Sequence, residues 1–211
     1  MDLDKEFRNK LIVFEGMDKT GKTSVAKALV NYLNANGVNA IFTFQPGDTS
    51  YGTLAPLFRS LCKDMRWGIH ELTNFFIFFA DKTEQVDKVI RPYLEKGYTV
   101  ISDRWWYSTF AYQFYGKRIV YKYGLEYRPE IVEWINKVSV LNYEPDITYY
   151  FPFQLNVERK QDKNDMFENT DRSFMKRVRD AYEYLARKHK FVRVEPGNSV
   201  EETVEKIIRG E

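Results

Sequence analysis

Apolar residues follow two alternating rhythms along the chain. Short apolar runs at Leu11-Ile12-Val13-Phe14, Val38 to Phe44, Tyr98 to Ser102, Ile147 to Phe151 and Phe191 to Val194 predict five strands. Between them the spacing lengthens to that of helices. Val25, Ala28, Leu29, Tyr32 and Leu33 fall on one helical face, and Gly37 marks its stop. Leu54 to Cys62 predicts a short helix. Glu71 to Leu94 predicts a long one, with Phe75, Phe76, Phe79, Val86, Val89, Ile90 and Leu94 as its core face, a bend at Pro92 and a close at Gly97. Trp105 to Tyr115, Pro129 to Leu141, a stretch carrying Phe174, Val178, Ala181, Tyr182 and Leu185, and Val200 to Ile208 complete the helices. Gln45-Pro46-Gly47-Asp48 is turn chemistry, Gly116 to Tyr127 carries no clear pattern, and Asn156 to Asn169 is dense in charge and reads as a solvated loop. Strands alternating with helices predict an α/β fold, a parallel sheet with helices on both faces. Ligands in such sheets gather at the carboxyl ends of the strands, where Gly16, Gln45, Asp103 and the segment after Phe151 stand.

At 211 residues, with no repeat or linker, the chain suits a single domain over residues 1–211. A formal charge of +2 gives no strongly basic field, so nucleic acid is not expected as a partner. Cys62 is the only cysteine, which excludes an internal disulfide and fits a reducing compartment. The charged start, Met1-Asp2-Leu3-Asp4-Lys5-Glu6, does not resemble a signal peptide, and the run Phe75 to Ala80 is too short to span a bilayer. A cytoplasmic location away from membranes is the expectation.

The chemistry is concentrated in Gly16-Met17-Asp18-Lys19-Thr20-Gly21-Lys22-Thr23, which matches G-x-x-x-x-G-K-[ST] between a strand and a helix. Glycines let such a loop curl its amides around phosphate oxygens, and the helix N-terminus adds partial positive charge. Gly16, Asp18, Lys19, Thr20, Gly21, Lys22, Thr23 and the following Ser24 are therefore candidates for holding a nucleotide. Lys22 suits the β- and γ-phosphates, and the Thr23 hydroxyl suits Mg²⁺. Asp103 ends a strand, where a carboxylate either helps hold Mg²⁺ or caps the next helix. Arg104 follows it and offers a bidentate grip on phosphate, or a surface ion pair. Phe78 and Lys82 share a helix face with Asn74 and Gln85, suited to stacking on a base or to packing on a neighbouring helix. His70 and His189 show no triad or metal spacing and read as structural.

Several segments together resemble the thymidylate kinases: Phe14-Glu15-Gly16-Met17-Asp18, Phe79-Ala80-Asp81-Lys82, Ile90-Arg91-Pro92, Ser102-Asp103-Arg104 through Ser108-Thr109-Phe110-Ala111-Tyr112-Gln113, Asp165-Met166-Phe167-Glu168, and Phe174 to Tyr182. The likeness runs from about Leu11 to Ile208. It implies a P-loop kinase fold with a five-stranded parallel sheet and a short lid at about residues 156–169. It also implies transfer of the γ-phosphoryl of ATP to dTMP with Mg²⁺, a step toward dTTP, by a homodimer. By that resemblance Phe78 stacks on thymine, Lys82 stands near base and acceptor phosphate, and Arg104 grips that phosphate. Asp18 approaches the sugar 3′-hydroxyl and the reacting phosphates, Tyr112 and Gln113 line sugar and base, and Pro46, Ser108 and Thr109 complete the acceptor pocket. Trp105 and Trp106 enlarge the apolar surface beside it.

The chain departs from the family pattern in three places. Lys82 stands where the family usually has arginine, Phe44-Gln45-Pro46 lacks the arginine often found there, and Lys19 and Met166 occupy the positions of the catalytic arginine in the phosphate loop or the lid. Lys19, or Arg159 and Lys160, must then supply the missing charge. A lone transition-state arginine is worth on the order of 10³ in rate, so slow turnover or altered substrate preference is expected. Three rivals remain: a kinase of another (deoxy)nucleoside monophosphate, a deoxynucleoside kinase, disfavoured because Gln45 cannot act as the base a neutral hydroxyl needs, and a nucleotide-dependent binding protein without catalysis.

Overall fold

In the computed structural model the central strand is β1, Leu11–Gly16, and all six of its residues are buried. The structure describes residues 3–46, 48, 50–51, 55–63, 68–125, 128–153 and 172–211. Four further strands join β1: β2 (Ala40–Phe44), β3 (Thr99–Asp103), β4 (Ile147–Phe151) and β5 (Val192–Arg193). They form one sheet in the order β2-β3-β1-β4-β5, and every pairing is parallel. In register, Phe14 lies opposite Asp103 and Gly16 opposite Phe151, so the strand ends meet at one edge.

Alternation along β1 divides the core in two. Leu11 and Val13 point into one cluster, with Val100, Tyr150, Phe75, Val86, Phe110 and Tyr182. Ile12 and Phe14 point into the other, with Val25, Leu29, Tyr149, Phe151, Val204 and Ile207. Helices α1 (Leu3–Phe7), α2 (Lys22–Ala35) and α10 (Val200–Arg209) supply the second cluster. Helices α4 (Glu71–Gln85), α6 (Trp106–Thr109) and α9 (Arg172–Lys188) supply the first, with α3 (Ala55–Lys63) packed on α4. Helices therefore cover both faces of the sheet, as the alternating pattern predicts.

Details depart from the sequence reading. The long helix after Glu71 is not continuous. A wider π-helical turn at Val86–Ile90 separates α4 from α5 (Arg91–Glu95), just ahead of Pro92. Proline lacks an amide proton and its ring collides with the carbonyl four residues back, and a widened turn accommodates both faults. Phe76, expected in the core, is 59% exposed because the sheet and its neighbours take only the face carrying Phe75 and Phe79. The stretch from Trp105 likewise divides into α6 and a π-helical turn at Phe110–Gly116. In the segment without pattern a short helix forms, α7 (Ile119–Lys122), followed by α8 (Pro129–Ser139). The fifth strand shrinks to two exposed residues, while Val194 beyond it is buried. The expected lid at about 156–169 lies outside the described residues. Among those described, no helix is long and apolar enough to cross a membrane.

Candidate active site

The loop between β1 and α2 is held by local geometry. Gly16 has φ 145°, and a Cβ there would lie 2.5 Å from the Phe151 carbonyl oxygen, so only glycine lets the loop leave the sheet at this point. Gly21 caps α2 from the left-handed region at φ 85°. The Thr20 hydroxyl donates to Met17 O at 2.9 Å, and the buried Lys22 folds back over the loop to donate to the same oxygen at 3.3 Å. Lys22 Nζ also lies 3.9 Å from both Asp18 Oδ1 and Asp103 Oδ1. Burial, reinforced by nearby Arg104, lowers the ammonium from its ordinary value, against the pull of Asp103, Asp18 and Glu15.

Thr23 and Asp103 come together across the β1–β3 seam, the Thr23 hydroxyl donating to Asp103 Oδ2. Asp103 Oδ1 is buried without a hydrogen-bond partner. Among the described residues no group of three or more His, Cys, Asp or Glu side chains could hold a metal ion. Mg²⁺ takes one or two protein oxygens and fills its shell with water and phosphate. Thr23 and Asp103 fit such an ion.

Arg104 is the most tightly held cation of the site. Its backbone lies at φ 82°, its amide donates to Phe14 O at 2.9 Å, and its side chain enters the cavity wall. Nη1 donates to Gly16 O at 3.3 Å, Ser108 Oγ at 3.0 Å and Tyr182 OH at 3.3 Å, while Nη2 donates to Asp18 Oδ1. The guanidinium lies 5.3 Å from the centroid of the Tyr112 ring. The Tyr112 hydroxyl accepts from Asp18 N at 3.2 Å and donates to Asp18 Oδ2 at 3.4 Å. Burial pushes the Tyr112 phenol up to about 12, so it stays protonated and can donate.

These groups share a cavity of about 530 Å³ with the other candidates. Asp18, Lys22 and Thr23 stand along its wall with Asp103 and Arg104, and Pro46, Phe78, Lys82, Ser108, Thr109, Tyr112 and Gln113 complete the predicted set that lines it. Lys82 is buried beside Phe78, its Nζ 5.7 Å from the ring centroid. Gln113 turns in a carbonyl oxygen that has no hydrogen-bond partner. Trp105 lines the cavity, but Trp106 does not. It packs away against Tyr107, Phe110 and His189, because successive residues at the start of a helix face different sides. Lys19 and Ser24 are exposed and lie outside the cavity wall. Arg159, Lys160 and Met166 lie outside the described residues. His70 caps α4, its Nδ1 accepting from Leu72 N at 3.3 Å, and His189 sits among aromatic rings, so both are structural.

Residues 14–207 match the family model for thymidylate kinase. The chain belongs to the thymidylate kinase family. Among its relatives, the thymidylate kinase of Nitrosomonas eutropha is 37% identical over 180 residues, covering 83% of this chain and 78% of that protein. That of Nitrosospira multiformis is 34% identical over 179 residues, with coverage of 83% and 82%. The crystal structure of thymidylate kinase from Ehrlichia chaffeensis superposes with a TM-score of 0.73 at 27% identity, covering 95% of this chain and 97% of that one. Family members are nucleoside monophosphate kinases on a P-loop fold, which is the class and the architecture seen here.

Sequence reasoning missed Lys27, Phe42 and Phe44, which also line the cavity, and two residues behind it. Glu15 is wholly buried behind the phosphate loop and takes four hydrogen bonds, and Tyr182 reaches Arg104 from α9. Glu15 did carry a signal, since a charged residue in an otherwise apolar strand must find partners if it is buried. Its partners lie 90 or more positions away.

Proposed function

We propose that this member of the family transfers the terminal phosphoryl group of ATP to dTMP, giving ADP and dTDP. One observation carries the reading. The phosphate loop, the anchored guanidinium of Arg104 and the half-buried ring of Phe78 all open into one cavity. A site for a donor nucleotide alone has no use for the last two.

On this reading Gly16 to Ser24 hold ATP, and Lys22 neutralises its outer phosphates. Thr23 and Asp103 would hold Mg²⁺, which would supply positive charge to offset that on the donor phosphates. Arg104 turns Nη2 from Asp18 to the acceptor phosphate, and Lys82 adds a second positive charge beside the base. Asp18, released from Arg104, is free to meet the sugar 3′-hydroxyl. Phe78 stacks on the base, Gln113 reads its polar edge, and Pro46, Ser108, Thr109 and Tyr112 close the walls around base and sugar. The acceptor phosphate is already ionised, so no general base is needed, and the neutral Gln45 beside Pro46 is consistent with that. One P–O bond forms at the acceptor oxygen as the bond to the β-phosphate oxygen of ATP breaks. The charge that the family usually takes from an arginine falls here to Lys19, or to Arg159 and Lys160.

The reading extends to a cytoplasmic homodimer in which each chain is one domain. The single cysteine, Cys62, suits a reducing compartment. Phe76 on α4 and Trp134 and Val138 on α8 are 59%, 65% and 44% exposed, on helices that pack together, and an apolar face of this kind suits a second copy.

The test is ADP release with ATP and Mg²⁺, with and without dTMP. Acceptor-dependent ADP formation supports the assignment, and ADP formation indifferent to dTMP refutes it. Thymidine in place of dTMP separates out the deoxynucleoside kinase reading.

A further inference from the structure

Glu15 lies outside the cavity wall, yet it is the point on which the acceptor side converges. Its Oε1 accepts the amides of Trp105 at 2.7 Å and Ser108 at 3.2 Å, fixing the start of α6. Its Oε2 accepts the hydroxyls of Ser108 at 2.7 Å and Tyr182 at 2.9 Å. Those two hydroxyl oxygens, 2.8 Å apart, are the same atoms that receive Arg104 Nη1. A hydroxyl has a single proton to give. The two hydroxyls share their two protons between Oε2 and the hydrogen bond that joins them, and every proton so drawn away from Arg104 leaves lone pairs facing the guanidinium.

We propose that Glu15 is a positioning residue that acts through Ser108 and Tyr182, setting the direction of their hydroxyl protons so that Arg104 Nη1 is anchored and Nη2 is presented to the acceptor phosphate. The inference rests on the dTMP kinase reading for the identity of that phosphate. The anchoring itself rests on the hydrogen bonds alone. Gly116 adds a structural condition. A Cβ there would lie 2.7 Å from the Phe174 ring, so glycine lets α9 approach closely enough for Tyr182 to reach the site.

Glu15→Gln tests this sharply because it conserves shape. One oxygen remains for the Trp105 and Ser108 amides, but an NH₂ group now faces the two hydroxyls. Each hydroxyl then accepts from it, and since only one of their two protons can be taken up between the two oxygens, the other is turned toward Arg104, donor against donor. Calorimetric titration of the full chain is expected to show dTMP binding weakened roughly tenfold, while thymidine, which lacks the phosphate, binds as before. Tyr182→Phe removes one of the two anchors and should show the same split at roughly threefold. It also decides the matter if Glu15→Gln fails to fold. Equal loss for dTMP and thymidine, or no loss for either, overturns the proposal and leaves Glu15 as a cap for α6. Crystal structures of the unliganded wild type and Glu15→Gln provide an arm independent of the acceptor. Arg104 is expected to leave Gly16 O in the variant, and an unmoved guanidinium overturns the proposal. If the wild type binds no dTMP at all, the acceptor assignment fails, and the crystal structures still decide the anchoring.

Discussion

Replacing Arg104 by lysine changes the head group while holding most else constant. Both residues carry a Cβ, so the positive φ at this position costs them alike, and both are cations, so the carboxylates of Glu15, Asp18 and Asp103 keep their neighbour. What changes is geometry. Arginine divides its work between two nitrogens, Nη1 on Gly16, Ser108 and Tyr182, and Nη2 on Asp18 until the acceptor arrives. Lysine has one nitrogen and cannot both stay anchored and reach forward. The loss is one charge-assisted hydrogen bond to phosphate, about 1.5–3 kcal/mol. At about 1.4 kcal/mol per factor of ten, that is roughly a ten- to 150-fold fall in kcat/KM for dTMP. A coupled assay of ADP release at saturating ATP measures it, with KM for ATP expected to stay put and the thermal midpoint as a control for folding. If Arg104→Lys turns over dTMP with wild-type kcat/KM, the two-nitrogen division of labour is wrong.

Other substitutions probe the remaining parts of the site. Phe78→Ala should weaken dTMP binding by about 1–3 kcal/mol, the value of stacking a base on a ring, without changing KM for ATP; equal affinity would remove Phe78 from the base site. Asp103→Asn should raise the Mg²⁺ concentration needed for half-maximal rate, and an unchanged Mg²⁺ titration would return Asp103 to a purely structural role. On the homodimer reading proposed above, Trp134→Asp places a charge on the exposed face of α8 and should lower the particle mass in light scattering from dimer to monomer, and an unchanged mass would remove that face from the interface. Burial holds His189 below its ordinary 6.5, ahead of the opposing pull of Glu133 and Glu144. The unfolded chain therefore takes up that proton first, and stability falls as pH drops through the window just below 6.5. His189→Phe should flatten the fall in thermal midpoint between about pH 7 and 5, and an unaltered slope would exclude His189 as its source.

The sequence is most legible where a function depends on local backbone. The turn at Gly16 to Thr23 needs glycine at Gly16, where a Cβ would strike the Phe151 carbonyl, and favours it at Gly21, where φ is positive, and both can be read from the sequence. Asp103 and Arg104 were legible only as candidates, each with a structural alternative, and the fold brings both to the cavity wall. Legibility fails where a residue's role depends on distant partners. Glu15 looks like an oddity of β1 until Ser108 and Tyr182, 93 and 167 positions away, arrive beside it. Phe76 shows the opposite error. Helical spacing marks a residue as apolar-faced but does not say how many neighbours are present to cover that face. The widened turns at Val86–Ile90 and Phe110–Gly116 were invisible because each needs only one residue more than regular spacing allows.

The reach of Tyr182 back to Arg104 also bears on the order in which the protein is made. Synthesis delivers the amino-terminal segments first. The strands that bear the phosphate loop and Asp103 leave the ribosome long before α9 does. Because α10, at the carboxyl end, also packs on α2, the helix behind the phosphate loop and the grip for the second substrate both wait for the carboxyl-terminal segments, so competence for phosphoryl transfer arrives only when these dock.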